Sequence, residues 1–569
     1  MNLAARGAGA RGRRDSVGGG GMRAVLDRSR YVVLVLAGCS NLLGVSDLTG
    51  PGGDGSVDGN GAIGDSPASP VAMSPANGAY TGSLFGSEAL RPTFRWDAVD
   101  RAVSYDLALD PSCTSGATCA FDQAMVVTGI AGTAYQPGVA LAVATRPPVG
   151  TRYAWRLRAC NPDGCSQWSR ARYLSVGRVR NDFNGDGYGD LAIGVRDGNK
   201  VMIFNGSATG LATGAPPPAS ATIQSDGFVR LGGALATGDF NGDGYADLAA
   251  TADPLAGIMI APVLIYLGGP TGLAGATIAK RIDGPHQDVD INFGAAMATP
   301  GDVDGDGYDD LAIGGAPHAY LYRGSPAALV EHVELAAPTG TVFRAPMQLA
   351  AAGDPDGDGY PDLAITAKEP ALGAETTVGI YRNLAVDPSQ VLQGPTGVDE
   401  IAFGDSIAAA DLDRDGRPEL LVVRIVGFMG GDMSTLLVFP GTAKGFAMTP
   451  SGPPLVDPDG LEFANLLAFQ RPDGTAVFAS AGTRRLTVWD GARTRLRRID
   501  GLDHFAERLG LCDCAGDGYS DLVAGDYTTM RGNAVVFDHT SSGVATTASR
   551  TLADPTGPSG EAFAIAISR

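Results

Sequence analysis

One acidic nine-position pattern recurs along this chain and restricts its fold more than any other feature. It reads DFNGDGYGD from Asp182, DFNGDGYAD from Asp239, DVDGDGYDD from Asp302, DPDGDGYPD from Asp354, DLDRDGRPE from Asp411 and DCAGDGYSD from Asp513. Position 1 is Asp182, Asp239, Asp302, Asp354, Asp411 and Asp513. Position 3 is Asn184, Asn241, Asp304, Asp356 and Asp413, then Ala515. Position 5 is Asp186, Asp243, Asp306, Asp358, Asp415 and Asp517, and position 9 is Asp190, Asp247, Asp310, Asp362, Glu419 and Asp521. Position 6 is always Gly. A hairpin turn needs one or two such residues. Spaced acceptors at 1, 3, 5 and 9 repel one another unless a cation lies among them.

Side-chain oxygens at those positions, with a backbone carbonyl from position 7 (Tyr188, Tyr245, Tyr308, Tyr360, Arg417 or Tyr519), form an oxygen-only donor set of the kind Ca²⁺ takes. The pattern has no His or Cys at a ligand position, which disfavours zinc and copper. An EF-hand is excluded. It requires a Glu at position 12 between helices, where this chain has Ile193, Ala250, Ile313, Ile365, Val422 and Ala524. Five loops are complete; the sixth lacks an oxygen at Ala515. The cofactor expected is Ca²⁺ in about five sites, or six if the Asp513 loop binds.

Around each loop, short apolar runs such as LAIG precede a variable segment and a second run such as VLIYLGG. The loop starts recur about every 55 residues, with one double gap before Asp513. The stretch FANLLAFQRPDGTAVFASA from Phe463 fills that gap as a degenerate copy. The repeat predicts seven units of about four strands each, an all-β, seven-bladed β-propeller over 178–569. The first unit lacks a strand before Asp182, and the C-terminal segment 562–568 (within EAFAIAISR) is expected to supply it and close the ring.

Phe-Gly before the acidic loop, then LAIGGAP from Leu311 to Pro317, resembles the FG-GAP repeat of integrin α-subunit propellers and their bacterial relatives. That resemblance implies Ca²⁺ loops on one face and ligand contact on the other, where 251–262, 366–377 and 424–434 vary. FG-GAP propellers occur in adhesins, lectins and some phospholipases, so the resemblance specifies the fold more than the task.

Upstream, residues 71–177 alternate apolar and polar residues around Phe94, Trp96, Tyr105, Leu107 and Leu109, and again around Tyr153, Trp155 and Leu157. The region resembles a fibronectin type III or similar immunoglobulin-like β-sandwich. Trp96 is expected in its core; the alternative is a carbohydrate platform of Trp96, Trp155 and Trp168. Residues 39–70 are a Gly/Asp/Ser/Pro tether. Residues 1–38 read as a signal peptide, with Met22 a more regular start than Met1. The run ends LAGC, which resembles a bacterial lipobox and makes Cys39 the lipidation site. Export to the envelope follows, with the outer membrane or cell surface favoured and the lipid as the sole membrane contact. Six further cysteines suit that oxidising route: Cys113–Cys119 and Cys160–Cys165 are expected to pair, whereas a Cys512–Cys514 bridge reads as strained.

A net charge of −20 without a basic stripe disfavours nucleic acid. His286, His318, His332, His504 and His539 are scattered in sequence, and none of the common catalytic motifs is present. The chain reads as a non-enzymatic, monomeric recognition or adhesion module for a protein or glycan. An extracellular hydrolase acting on phospholipid or glycan, or a structural envelope component, is the alternative.

Overall fold

Apolar runs that stay buried on both faces become strands packed on two sides. The computed structural model describes residues 66–553, apart from 87, 114–118, 197, 213–218, 225–227, 255–260, 287–288, 345–346, 369–375, 395–399, 429–430, 458–462, 464, 483, 502–504 and 527–532. Every element among the described residues is a strand, and among those residues no helix is long and apolar enough to cross a membrane. The chain divides into Met1–Gly53 and Asp54–Arg569. The first unit, with the signal segment and Cys39, lies outside the described residues, as do most of the 39–70 tether and the closing segment 562–568.

Residues 71–177 form two sheets. Ala72–Ser74, Phe94–Trp96 and Ala134–Tyr135 make the smaller. The larger runs in the order Ala79–Tyr80, Arg172–Val176, Thr151–Asn161, Ser104–Asp110 and Met125–Ile130. Both contribute to one apolar cluster that includes Phe94, Trp96, Leu107, Trp155 and Leu174. The period-2 alternation explains this: Phe94 and Trp96 are buried and Arg95 between them is exposed. Trp96 and Trp155 are therefore core residues and unavailable to a surface platform. Trp168 instead lies under the guanidinium groups of Arg156 and Arg158, 4.9 and 4.6 Å away. Cys113 pairs with Cys119 and Cys160 with Cys165, the latter across a hairpin register. Cys512 and Cys514, whose state the sequence left open, are also bonded. The chain bends from strand Phe505–Cys512 into the acidic loop at Asp513, which brings the two Cα atoms to 5.0 Å, inside the usual disulfide range.

From residue 191 onward, antiparallel sheets follow one another. In the second, Leu235–Gly238 pairs with Asp247–Thr251, then Val263–Tyr266 and Lys280–Ile282. In the third, the order is Ile291–Gly301, Asp310–Ala316, Ala319–Arg323 and Val330–Leu335. Sheets beginning at Leu349, Glu400, Asn465 and Phe505 repeat this order, the one at Glu400 with three strands. The degenerate copy is a four-stranded sheet, Asn465–Gln470 through Arg495–Asp500, with a plain turn at 471–475 in place of the acidic loop. The first sheet holds Leu191–Val195, Lys200–Phe204 and Ala221–Gln224, and among the described residues no further strand pairs with it.

Each sheet shares one apolar cluster with the sheet before it and another with the sheet after. Leu191, Ile193 and Val195 point one way and Ala192 the other, which is why the run LAIGV is apolar throughout. The last sheet packs on the first: Val523, Ala534, Val536 and Leu552 share a cluster with Leu191, Ile193, Met202 and Phe204. Arg550 seals that contact by donating to the carbonyls of Leu211 and Thr209.

The Phe-Gly pair is a bulge. Phe293 and Phe403 are buried, and the register of each strand slips just around them. Gly294 has φ +79°, and a methyl there would lie 2.5 Å from Cγ2 of Thr251 in the neighbouring sheet. Gly294→Ala is expected to destabilise by about 2–4 kcal/mol, from left-handed strain plus overpacking. Gly474→Ala, with φ +78° and open space, should lose only the backbone part, about 1–2 kcal/mol. Denaturant midpoints of the two variants check this.

Candidate metal centres

A chain that reverses within nine residues must satisfy its own amides, and the loop carboxylates do this. From Asp239 onward each acidic loop joins the first two strands of a sheet, and the loop at Asp182 leads into Leu191–Val195. Asp182 accepts the N–H of Asp186 and Gly187 (3.1 and 2.7 Å). Asp302 accepts those of Gly305, Asp306 and Gly307 (2.7, 2.9 and 2.8 Å). Asp239, Asp354, Asp411 and Asp513 each accept the N–H of the position-6 Gly. The position-5 carboxylate accepts the N–H of position 7 in every loop, from Asp186–Tyr188 to Asp517–Tyr519. Positions 4 and 6 are both left-handed; position 4 is Gly except at Arg414 (φ 68°). The requirement at position 4 was not evident from the pattern. Its second cause is tertiary: a methyl at Gly185 would lie 2.6 Å from the ring of Tyr245, and one at Gly516 would lie 2.7 Å from Tyr188.

Position 2 is a further anchor that the ligand pattern conceals. Phe183, Phe240 and Val303 are buried in the clusters between adjacent sheets, pinning each loop to the core. Position 9 ties that anchor to the rest of its sheet. Asp190 accepts the N–H of Phe183 and Gly206 (both 2.9 Å), Asp247 those of Phe240 and Gly268 (3.0 and 2.9 Å), and Asp310 those of Val303 and Gly324 (both 2.8 Å). Glu419 keeps the first bond, from Leu412, and Asp521 the second, from His539. The fourth loop departs. Pro355 has no N–H to give, both oxygens of Asp362 lack a hydrogen bond, and Arg382 Nε lies 3.5 Å away.

These carboxylates are costly to ionise. Burial, reinforced by the position-5 carboxylates, pushes Asp182, Asp302 and Asp513 up to about 7. Burial with Asp356 nearby pushes Asp362 up to about 9. Asp190, Asp247 and Asp310 are raised well above the usual carboxylate range, mainly by burial. One oxygen each of Asp239, Asp354, Asp411 and Asp513 is buried without a hydrogen-bond partner. In the third loop, oxygens of Asp302, Asp304 and Asp306 lie within 4.8 Å of one another. Buried oxygens lacking a donor, in an all-oxygen set, fit a hard cation such as Ca²⁺.

Arginines already supply part of the countercharge. Arg323 meets Asp304 and Asp306 at 2.5 and 3.5 Å, and Arg382 meets Asp356 at 2.8 Å. Others come from residues 71–177. Arg172 is buried and reaches Asp354 at 2.8 Å and the Gly357 carbonyl at 3.0 Å; Arg152 lies 3.5 Å from Asp239. Asn77 donates to Asp302 at 3.3 Å, Tyr80 to Asp309 at 3.3 Å, and Phe85 stacks on Tyr188 at 4.7 Å. Arg417 sends its side chain to the Pro355 carbonyl and to Asp97, both 2.9 Å. The N-terminal strands thus lie over the acidic loops, a contact with no signature in the sequence. The second strands end at the far end of their sheets, where the variable segments begin at Thr251, Lys368 and Phe428. The middles of those segments lie outside the described residues.

Three histidines thought scattered come together: His286, His318 and His332 surround Tyr320. His539 packs on Phe469 and Tyr519, and His504 lies outside the described residues.

A family model for the FG-GAP-like repeat matches residues 182–250 and 354–422. Among curated proteins the chain is similar to integrin alpha-PS2 of Drosophila melanogaster, 34% identical over 230 residues, covering 34% of this chain and 15% of that protein. It is also similar to integrin alpha-V of Gallus gallus, 31% identical over 244 residues, covering 39% of this chain and 22% of that protein. The match spans under a quarter of either relative's length. Similar solved structures include the Dos1 propeller (TM-score 0.36, 12% identity, 67% of this chain and 88% of that one). Another is BBS1N in complex with ARL6DN (TM-score 0.36, 13% identity, 67% and 92%). The chain thus carries FG-GAP repeats with distant similarity to integrin alpha chains.

Asp247→Ala is expected to leave two buried N–H groups unpaired and to cost about 2–4 kcal/mol even in chelator, and more in calcium. Asp243→Ala, more exposed, should lower stability chiefly in calcium. Denaturation of both variants in calcium and in chelator separates the two roles.

Proposed function

We propose that this chain is an exported, lipid-anchored recognition module. In this reading a sandwich of the immunoglobulin or fibronectin type III kind precedes a calcium-stabilised, seven-bladed propeller that binds a protein or glycan. The observation that carries the reading is the covering of the acidic loops by Arg152, Arg172, Asn77 and Phe85. A partner then has access at the opposite end of the sheets, where the segments at 251–262, 366–377 and 424–434 differ from one another. The succession of apolar clusters from sheet to sheet, returning from the last to the first, supports closure into a ring. Similarity to integrin alpha chains supports adhesion over catalysis.

Positions 1, 3, 5 and 9 of the first five loops, with the position-7 carbonyl, would hold Ca²⁺; the sixth, with Ala515, has one oxygen fewer. Bound calcium would supply positive charge to carboxylates that burial otherwise drives toward protonation. The chain's own part is to hold those carboxylates by backbone N–H groups and to anchor each loop through position 2. At the third and fourth loops, Arg323, Arg382 and Arg172 share the carboxylates with any cation. Affinities of about 10⁻⁴ to 10⁻³ M suffice outside a cell.

Chelation of the mature protein is expected to lower its melting temperature by many degrees, with recovery on adding calcium. An identical melt in EDTA would sink the calcium assignment. Glycan-array and cell-adhesion binding, measured with calcium and with chelator, should be present with calcium and weakened by substitutions within 251–262. Binding indifferent to those substitutions, and lost instead on changing the N-terminal strands, would reverse the assignment of faces.

A further inference from the structure

We propose that His286, His318 and Glu334 form a binding site for a divalent transition-metal ion of the Zn²⁺ kind, separate from the acidic loops. The three come from different segments of the third sheet. His286 lies in the connection leading to strand Ile291–Gly301, and His318 in the tight turn between Asp310–Ala316 and Ala319–Arg323. Glu334 is on the outer strand Val330–Leu335. That turn lies at the far end of the sheet from the acidic loop, since the loop enters the strand at Asp310 and the turn leaves it after Ala316.

The ligand atoms of all three residues lie within 4.8 Å of one another. Nε2 of His286 is 2.9 Å from one oxygen of Glu334, and Nε2 of His318 is 3.8 Å from the other. With bonds of about 2.0–2.1 Å, two ligands of a tetrahedral zinc ion sit roughly 3.3 Å apart, between those two distances.

The surroundings orient the donors. Asp290 is fully buried and meets Nδ1 of His318 at 2.6 Å. It also accepts the Tyr320 hydroxyl at 2.8 Å and the backbone N–H of His286 at 3.0 Å. A carboxylate at Nδ1 favours the tautomer protonated there, whose Nε2 lone pair can take a metal, the arrangement typical of metal-bound histidine. Nε2 of His318 faces a Glu334 oxygen, and in that tautomer the two are acceptors that a cation between them would join. The turn holding His318 is closed by the Gly315 N–H on the His318 carbonyl at 3.0 Å, so the ring is carried by a short, bonded loop.

Two imidazoles and one carboxylate suit zinc and its neighbours rather than calcium or magnesium. His286 and Glu334 are about half exposed (46% and 45%), so an ion enters from solvent and keeps water in its fourth position. His332, two residues before Glu334, packs on Tyr320 and Tyr322 and lies outside the ligand set. Bound metal would join the connection before the inner strand to the outermost strand of the same sheet.

The test is calorimetric titration of the mature protein with Zn²⁺ in excess Ca²⁺, which fills the acidic loops, and a parallel titration with Co²⁺ followed by visible absorption. One equivalent is expected, with the absorption of tetrahedral Co²⁺. His286→Ala and Glu334→Gln, both at exposed positions, should each weaken Zn²⁺ binding at least tenfold without altering the melt in chelator. Asp290→Asn should weaken it by about 10–100-fold as an orienting residue, and His332→Ala should leave it unchanged. Absence of Zn²⁺ binding, or binding undiminished in both His286→Ala and Glu334→Gln, overturns the proposal.

Discussion

Carboxylates buried at one end of every sheet but the one from Asn465 set the terms for the repeat region, because a buried charge is tolerated only when something answers it. This chain answers in layers. Backbone N–H groups from within the loop reach position 1, and N–H groups from the loop entry and the end of the third strand reach position 9. Arg323 and Arg382 lean in from their own sheets. Arg152 and Arg172 arrive from the N-terminal strands. One oxygen each of Asp239, Asp354, Asp411 and Asp513 is answered by none of these and stays buried without a hydrogen bond.

Loop chemistry and long-range architecture are therefore coupled. Position 2 buries an apolar group between neighbouring sheets, position 9 bonds its amide, and the position-7 tyrosine of one loop rests on the position-4 glycine of another. Loop conformation, docking of the N-terminal strands and packing of the sheets should respond together. The same geometry separates the molecule's two ends: one is covered and charged, and the other carries segments that vary from repeat to repeat.

Much of this was legible beforehand. The loop spacing, the strands on either side, the degenerate copy from Phe463, the buried Trp96 and two of the disulfides follow from local pattern, because turns and alternating strands are made by residues close in sequence. The departures have specific causes. Position 9 read as a ligand only, and its bonds to Phe183 and Gly206 show it also ties the loop to its sheet. A Cys512–Cys514 bridge read as strained from its spacing, and the bend at Asp513 brings the two Cα atoms to 5.0 Å. Asp362 looked like its counterparts, yet Pro355, lacking an N–H, leaves it to Arg382.

By itself, the sequence determined the all-β class, the period of the repeat, the oxygen-rich chemistry of each loop and the absence of local catalytic motifs. Only the tertiary structure decided which residues meet across long intervals. Arg172 reaches Asp354, Arg417 reaches Asp97, and His286 reaches His318 and Glu334 through strand register and turns. The physical reason is range. A nine-residue loop makes its own hydrogen bonds, so its composition reveals its geometry. A contact between distant segments depends on how whole sheets stack, and no single stretch of sequence carries that information.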